Sequence, residues 1–134
     1  MALDVGERRI GVALSDPLLL LASPLTAITR KSLSSDIEAV LRLASEHEAT
    51  IIIVGLPISL SGKHGPQAKV TKEFAKALEA QSPVPVKMFD ERFSTFEAEQ
   101  RLRDSGAKPS KDRGRVDAAA AAVILQGYLD KRRR

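Results

Sequence analysis

The sequence predicts an α/β fold, a mixed five-stranded sheet of three antiparallel strands followed by parallel strands, with helices on both faces. Three apolar segments come first and are joined by turn-length connections, which is typical of antiparallel strands. Amphipathic segments then separate the later strands, as expected for parallel neighbours joined by crossover helices. The predicted element order is β-β-β-α-β-α-β-α-α. With 134 residues, the chain is expected to form a single domain over residues 1–134.

The first three strands follow from turn signals between apolar runs. Residues 1–5 and 9–15 flank the short sequence "GERR", which contains Gly6 and predicts a hairpin. A third apolar segment, Leu19 to Ile28, is rich in Leu, Thr and Ile and is entered through "DP". We therefore expect a third strand over residues 19–28.

The next segments alternate between helical and strand-like patterns. In "SLSSDIEAVLRLASEHEA", Ser and Asp are capping candidates, and Ile37, Val40, Leu41 and Ala44 lie on one helical face. The continuous β-branched run over 50–55, "TIIIVG", is typical of a strand buried on both sides. This pattern predicts the first crossover helix and the strand that it delivers.

The second half of the chain repeats this alternation. A helix is predicted where Val70, Phe74 and Leu78 recur four residues apart. The predicted elements are a helix over 67–80, a strand over 83–92, a helix over 94–106, a basic linker over 107–115 and a last helix from residue 116.

Composition limits the function classes. The hydrophobic share of 43% and the charged share of 28% are ordinary for a soluble globular protein. No apolar run approaches the roughly 20 residues that cross a bilayer, so no membrane partner is expected. The absence of cysteine excludes disulfides and thiolate-bound metal, which favours a cytoplasmic location and oxygen ligands for any metal. A net charge of +4 favours a polyanionic partner.

Acidic residues occupy unexpected positions on three separate elements. Asp4 lies inside the first apolar strand, Asp90 and Glu91 close the fifth strand, and Asp117 begins the last helix. Ligands of open α/β sheets gather beyond the carboxyl ends of the parallel strands. A helix crossing that edge would bring its first turn to the same place. The helical stripe expected to face inward comprises Asp117, Ala120, Ala121, Ile124 and Tyr128.

Converging carboxylates repel one another unless cations join them. Oxygen-only ligands with partial hydration suit Mg²⁺ or Mn²⁺. Two such ions roughly 3.5–4 Å apart form a clamp for in-line attack on a phosphodiester, in which one activates water and the other stabilises the leaving oxygen. The acids therefore predict a metal-dependent phosphodiester hydrolase.

Each acid also has a structural interpretation. Asp4 could cap a turn with Gly6. Asp90 or Glu91 could form an ion pair with Arg92 or a nearby lysine. Asp117 could complement the helix dipole from the first helical turn.

Four motifs resemble the YqgF-type family, in the family's order and spacing. They are "LDVGERRIGVALSD" (3–16), "VGLP" with "SGKHGPQA" (54–57 and 61–68), "DERFST" (90–95) and "VDAAAAAVILQGYL" (116–129). Members of this family are described as pre-16S rRNA nucleases and Holliday-junction-resolvase-like proteins. The resemblance implies an RNase H-like nuclease domain related to RuvC resolvases, in a cytoplasmic bacterial enzyme that acts on nucleic acid.

The resemblance also assigns site residues. Asp4 matches the first-strand acid, Glu91 resembles the second acid with Asp90 as its rival, and Asp117 resembles the third. These residues, Asp4, Glu91 and Asp117, are the expected catalytic and metal-binding set. Arg9 and Arg92 match arginines of the first motif and of "DER". Family members usually carry a few more residues before the first acid, so either a short first strand holds Asp4 less firmly or the natural start lies upstream.

Basic residues cluster beside the predicted acids. They lie in the hairpin turn next to Asp4 and in the linker before Asp117, where they could bind a phosphate backbone. The alternative for the linker is a solvated, flexible segment. The expected substrate-binding residues are Arg8, Arg9, Arg92, Lys108, Lys111, Arg113 and Arg115.

Three functions remain open from the sequence. The first is a two-metal endonuclease that uses Mg²⁺ or Mn²⁺ and cleaves rRNA precursor or branched DNA, as a monomer or a homodimer. The second is a nucleic-acid-binding protein without catalysis. The third is a phosphotransferase of the sugar-kinase and actin type, whose first motif also reads Asp-x-Gly. The chain is short for the two lobes that such enzymes require.

Overall fold

The structure is a computed structural model that describes residues 1–57, 62, 64–91 and 113–133. The helix predicted over 94–106 and the linker up to residue 112 lie outside the described residues. The described elements are β1 (Ala2–Val5), β2 (Arg9–Ser15), β3 (Ala22–Thr29), α1 (Leu33–Glu46), β4 (Ile52–Leu56), α2 (Pro66–Gln81), β5 (Val86–Asp90) and α3 (Arg113–Arg132).

The five strands form one mixed sheet in the order β3-β2-β1-β4-β5. β1 to β3 pair antiparallel, whereas β1 with β4 and β4 with β5 pair parallel, which confirms the predicted architecture. β1 has only four residues, yet it is the central strand and has a neighbour on both sides. The short strand that carries Asp4 is thus paired along both of its edges.

One face of the sheet carries large apolar side chains. Leu3, Ile10 and Ile52 are fully buried on this face, beneath α1 and α2. Phe74 and Leu78 of α2 pack into the same core. Close packing of branched and aromatic side chains gives this face most of the apolar burial.

The opposite face is covered by α3 and is lined by small residues along the antiparallel strands, whereas Ile53 and Phe89 line it at β4 and β5. Ala2 of β1 and Ala13 of β2 pack against Ala121 and Ala122 of the helix. Because alanine projects only a methyl group, the helix axis can lie close to the sheet. Helices on both faces were predicted, and the two separate cores confirm this.

The start of α1 and the buried face of α2 are more precise in the structure than in the sequence prediction. Ser32 caps α1 and forms a capping box with Ser35. In α2 the buried face includes Thr71, Phe74 and Leu78, whereas Val70 is 44% exposed. Steps of four residues drift around a helix of 3.6 residues per turn, so the repeated spacing did not define one face.

The third strand begins later than predicted. Leu19 to Leu21 precede β3, which starts at Ala22. The Asp16 carboxylate accepts hydrogen bonds from the backbone N–H groups of Leu20 and Leu21, at 2.7 and 2.9 Å. Because these two amides donate to the Asp16 side chain, they are not available for hydrogen bonds to a neighbouring strand.

The last helix begins earlier than predicted. α3 starts at Arg113, so the predicted linker over 107–115 is helical from that residue onwards. Asp117 consequently lies beyond the first turn, which holds no acidic residue. The dipole interpretation of Asp117 loses its basis, because that effect falls off within the first turn. No helix in the described ranges is long and apolar enough to cross a membrane.

Candidate active site

Asp4 lies between two glycines of the neighbouring strands. Across the β1–β2 pair, Asp4 is in register with Gly11. On the other side, Leu3 pairs with Val54, so Gly55 follows beside Asp4. Side chains alternate along a strand, so Asp4 projects from the face covered by α3. The carboxylate therefore stands in a gap where both adjacent strands lack a side chain.

The gap beside β2 admits the first half of α3. A Cβ atom on Gly11 would overlap the backbone carbonyl of Asp117. Glycine in a strand interior commonly marks such a close backbone approach. The helix backbone at Asp117 thus lies directly over Gly11, the residue paired with Asp4. Sheet register and helix packing together bring Asp4 and Asp117 to one place.

The gap beside β4 admits Glu91. A Cβ atom on Gly55 would lie 3.0 Å from Glu91 Oε1 and 2.5 Å from Ile124 Cδ1. Phe89 packs in the core under α3, and alternation then directs Asp90 to the opposite face. Glu91, one residue further on, returns to the face of Asp4. This alternation supports Glu91 over Asp90 as the second acid.

The three acids interact electrostatically through Asp4. Burial raises the pKa of Asp4, and the neighbouring Asp117 carboxylate raises it further. Burial raises the pKa of Glu91 to about 7, with further contributions from Asp4 and Asp90. Desolvation and like charges both disfavour the ionised carboxylate. The Asp117 charge therefore acts on Asp4, and the Asp4 charge acts on Glu91.

Asp117 has a cationic partner in this conformation. Arg9 Nε donates a hydrogen bond to Asp117 Oδ2, and both side chains are half-buried. Among residues 1–57, 62, 64–91 and 113–133, no three Asp, Glu, His or Cys side chains are close enough together to hold one metal ion. The three acids thus lie on one face without forming a ready-made three-ligand cluster among the described residues, and Arg9 engages the Asp117 carboxylate.

The donor chemistry nevertheless fits a divalent cation. Asp4 and Glu91 are partly buried carboxylates with raised pKa values, and neither has a hydrogen-bond or ion-pair partner among the described residues. Buried charges are normally paired or coordinate metals. Oxygen ligands from Asp4, Glu91 and Asp117 match the preference of Mg²⁺ or Mn²⁺.

Two side chains from the opposite face hold the end of β1. Gln67 Nε2 donates to the Val5 carbonyl at 3.0 Å, and an Arg30 NH group donates to the Gly6 carbonyl at 3.0 Å. These carbonyls directly follow Asp4 in the chain. We call Gln67 and Arg30 the carbonyl clamp, since together they fix the turn that links Asp4 to Arg9.

Arg30 is itself held by a buried acid. Its Nε donates to Asp36 Oδ2 at 3.1 Å, and Asp36 is only 2% exposed. Asp36 Oδ1 also accepts the Lys31 amide at 2.9 Å, and the guanidinium lies 5.3 Å from the centre of the Phe74 ring. One of the predicted capping candidates of α1 is therefore a structural partner of the carbonyl clamp.

Sequence reasoning missed both the glycines and the clamp. Gly11 and Gly55 had a visible signal, since each interrupts an apolar strand where no turn is expected. Arg30 and Gln67 gave no such signal, because the backbone carbonyls that they bind are distant in sequence.

The structure describes only part of the predicted basic set. Arg8 is exposed in the hairpin turn, Arg9 pairs with Asp117, and Arg115 is exposed on α3. Arg113 lies in the first turn of α3, and its side chain is not among the described parts. The predicted residues that lie outside the described ranges are Arg92, Lys108 and Lys111.

Comparisons with known proteins match nearly the whole chain. The family model described as "RuvX: Holliday junction resolvase" matches residues 1–131. A protein of Anaeromyxobacter sp. (strain K), named "Putative pre-16S rRNA nuclease", is 46% identical over 132 residues, covering 98% of this chain and 96% of that protein. A protein of Chloroflexus aurantiacus with the same name is 47% identical over 133 residues, covering 99% and 87%.

A solved structure supports the fold. T. thermophilus RuvC in complex with a Holliday junction substrate superposes with a TM-score of 0.64 at 14% identity, covering 98% of this chain and 92% of that chain. The same protein in a second structure gives a TM-score of 0.63. These likenesses confirm the predicted RNase H-like fold. With its model matched over residues 1–131 and relatives near 46% identity, the chain belongs to the RuvX family.

Proposed function

We propose that this chain is a metal-dependent endonuclease that hydrolyses phosphodiester bonds in nucleic acid, with Asp4, Glu91 and Asp117 as its metal-binding and catalytic residues. The observation that carries the proposal is the position of Asp4 between two glycine gaps, one occupied by the Asp117 backbone and the other by Glu91. Carboxylates gathered from three elements onto one face of an RNase H-like sheet suit phosphodiester chemistry.

The proposed mechanism assigns a task to each described residue. Asp4, Glu91 and Asp117 would hold Mg²⁺ or Mn²⁺, whose chemistry at this place is to activate water and stabilise the leaving oxygen. The central strand fixes the backbone of Asp4. Glu91 would bind the cation in its ionised form, because the positive charge offsets the burial that raises its pKa. Arg9 orients Asp117 through its hydrogen bond.

The substrate is proposed to be the precursor of 16S rRNA at its 5′ end, a branched DNA junction, or both. The names of the relatives support the first and the family description the second. Arg8 and Arg115 are exposed near the acids and would contact phosphates, so affinity should fall with salt. A cytoplasmic location accords with this activity. A junction substrate has two-fold symmetry and would favour a homodimer, which a mass measurement in solution would identify.

Substitution of single acids tests the proposal. Asp4→Asn, Glu91→Gln and Asp117→Asn should each lower cleavage of a 5′-extended rRNA fragment or a four-way junction by roughly a thousandfold or more, since metal and water positioning are lost. Mn²⁺ affinity, measured by calorimetry, should fall in parallel. Asp90→Asn is the matched control, because its side chain leaves the opposite face of β5, and it should retain most activity.

Several outcomes would contradict the proposal. Near-normal turnover by Asp4→Asn would exclude its catalytic role. A larger loss in Asp90→Asn than in Glu91→Gln would show that the second acid is wrongly assigned. Salt-sensitive binding without any product, in the presence of Mg²⁺ or Mn²⁺, would indicate a binding protein instead of an enzyme.

A further inference from the structure

Three consecutive leucines are exposed at the end of the molecule opposite the acids. Leu18, Leu19 and Leu20 are 75%, 44% and 46% exposed, and we call them the leucine loop. Single exposed leucines are ordinary on protein surfaces, but contiguous apolar surface commonly marks an interaction site. The loop adjoins the last turns of α3. Asp117 and Leu129 are twelve positions apart along α3, a distance of roughly 18 Å.

The leucine loop is held in place by specific hydrogen bonds. Asp16 Oδ1 accepts the amides of Leu20 and Leu21, as described above. Gln126, which is fully buried, donates to the Leu20 carbonyl at 3.1 Å and accepts the Ala22 amide at 2.9 Å. Because both the oxygen and the nitrogen of its side-chain amide bind backbone groups at or next to the loop, Gln126 anchors the loop to α3. The leucine side chains thus point outward from a turn that these hydrogen bonds fix.

The backbone at Leu19 is in an uncommon conformation. Its φ angle is 58°, in the left-handed region that residues with a Cβ seldom occupy. Strained residues of this kind persist where the surrounding structure determines them, and they occur often at functional sites. The bonds from Asp16 and Gln126 supply that surrounding structure. The leucine loop therefore has a defined backbone conformation that these hydrogen bonds maintain.

A small cavity with a cationic edge lies beside the loop. Its volume is about 170 Å³, below the roughly 300–1,000 Å³ of small-molecule sites, so it suits one inserted side chain. Arg132 lies 5.9 Å from the centre of the Tyr128 ring and has no carboxylate partner among the described residues. Arg133 pairs with Asp130 and contributes less free charge. The cavity is lined by Leu18, Leu19, Leu20, Leu129, Arg132 and Arg133.

We propose that the leucine loop and Arg132 form a docking site for a protein partner that inserts one apolar side chain flanked by carboxylates. The argument is charge complementarity around an apolar anchor, the arrangement of many interface hot spots. A second copy of the chain is disfavoured, since the same face would bring two Arg132 side chains together. Nucleic acid is disfavoured, since leucines offer nothing to phosphates. This proposal does not rest on the proposed nuclease function.

A peptide-binding experiment tests the docking site. The probes are short synthetic peptides with Leu, Phe or Ser at the centre and Glu, Gln or Lys on both sides. Binding to the full chain is followed by NMR shifts of backbone amides. The expected result is binding of the Leu and Phe peptides with Glu flanks, with shifts confined to the leucine loop and the end of α3.

Matched variants distinguish the site from non-specific adhesion. Leu18→Ser should weaken binding by about tenfold or more, as expected for a lost apolar anchor. Leu33→Ser is the control, because Leu33 is 50% exposed at the start of α1, away from the loop, and should leave affinity unchanged. Arg132→Glu should reverse the preference from Glu-flanked to Lys-flanked peptides. Thermal melting checks that each variant is folded.

Other results would overturn the docking site. These are equal binding of Glu- and Lys-flanked peptides, equal losses in Leu18→Ser and Leu33→Ser, or shifts at other surfaces. Binding to phosphatidylglycerol vesicles but to no peptide would assign the loop to lipid. Concentration-dependent self-association abolished by Leu18→Ser would assign it to a second copy.

Discussion

The two faces of the sheet differ in how closely the covering helices approach the strands. On the face covered by α1 and α2, large side chains such as Leu3, Ile52 and Phe74 fill the space between sheet and helices. On the face covered by α3, glycine and alanine let the helix backbone approach the strands. Both faces hold an apolar core, but only the second brings Asp117 to Asp4. Only one of the two faces therefore depends on a close backbone approach for the geometry of the site.

The largest effect is expected where a single carbon is added to the close-packed face. Gly11→Ala would place a methyl group in the Asp117 carbonyl, so the helix must move. Overpacking commonly costs roughly 1–3 kcal/mol, and a clash with backbone should cost about 4 kcal/mol or more. Urea unfolding measures the loss, and nuclease activity should fall with it.

Gly65→Ala provides the matched control for this prediction. A Cβ atom on Gly65 meets no atom within 4 Å, although the residue caps α2. Its cost should stay within about 1 kcal/mol. A small loss for Gly11→Ala would show that α3 can shift freely, and the proposed dependence of the site on close packing would fail.

The next effect concerns the support that the apolar face gives to the site. Arg30→Gln would leave Asp36, 2% exposed, without its cation and would remove a donor from the Gly6 carbonyl. Removing one partner of a buried pair costs about 3 kcal/mol. Activity should fall beyond what reduced stability explains, because the turn between Asp4 and Arg9 loosens. Urea unfolding and cleavage rates measured well below the melting temperature separate the two effects.

Two further variants sharpen the test of Arg30. Arg30→Lys should recover little, since an ammonium group cannot reproduce the fork of donors to Asp36 and Gly6. Arg42→Gln, at an exposed position of α1, should change stability by less than about 0.5 kcal/mol. Full rescue by lysine would reduce the role of Arg30 to that of a positive charge.

A smaller effect is expected from pH in the metal-free protein. Because folding raises the pKa values of Glu91 and Asp4, the folded state favours their protonated forms. Their contribution to stability is full below the unfolded pKa, near 4.5 for Glu91, and is lost as pH rises through about 7. With a discount for partial exposure, the free energy of unfolding should fall by about 1–3 kcal/mol between pH 5 and 8.

Substitution and metal addition check the origin of that pH dependence. Glu91→Gln should flatten the profile, whereas Asp90→Asn should flatten it less, because burial contributes more than Asp90 to the shift. Added Mn²⁺ should restore stability at pH 8 more than at pH 5, since only the ionised carboxylates bind it. A profile that rises from pH 5 to 8 in the absence of metal would contradict the assigned pKa shifts.

The sequence was informative where local patterns decide structure. The range 9–15 of β2 and the antiparallel start followed from periodicity and turn length. The predicted inward stripe of α3 was only partly right, because the buried face is turned towards Ala118, Ala122 and Leu125, whereas Ala120 and Tyr128 are only partly buried. Convergence of the acids onto one face followed from the fold class. The proposed choice of Glu91 over Asp90 needed the residue alternation along β5, which depends on where Phe89 packs.

Other features depended on interactions that a linear pattern does not contain. Leu19 to Leu21 resembled a strand, but Asp16 and a glutamine more than a hundred residues away bind their backbone. The start of α3 was hidden by basic residues that are equally common in linkers and helices. Asp36 looked like a capping residue, although its partner Arg30 holds the hairpin turn.

The smallest effect is expected where a single carbon is removed from the apolar face. Ile52→Val takes one methylene from a fully buried residue of β4, and it should cost about 0.5–1.5 kcal/mol. Ile52 projects away from α3, so cleavage activity and Mn²⁺ affinity should remain unchanged. Compared with Gly11→Ala, the change has the same size and occurs in the same sheet. If Ile52→Val lowered activity as much as Gly11→Ala, the two faces would be mechanically coupled. The site would then depend on the packing of the core under α1 and α2 as well as on the close approach of α3.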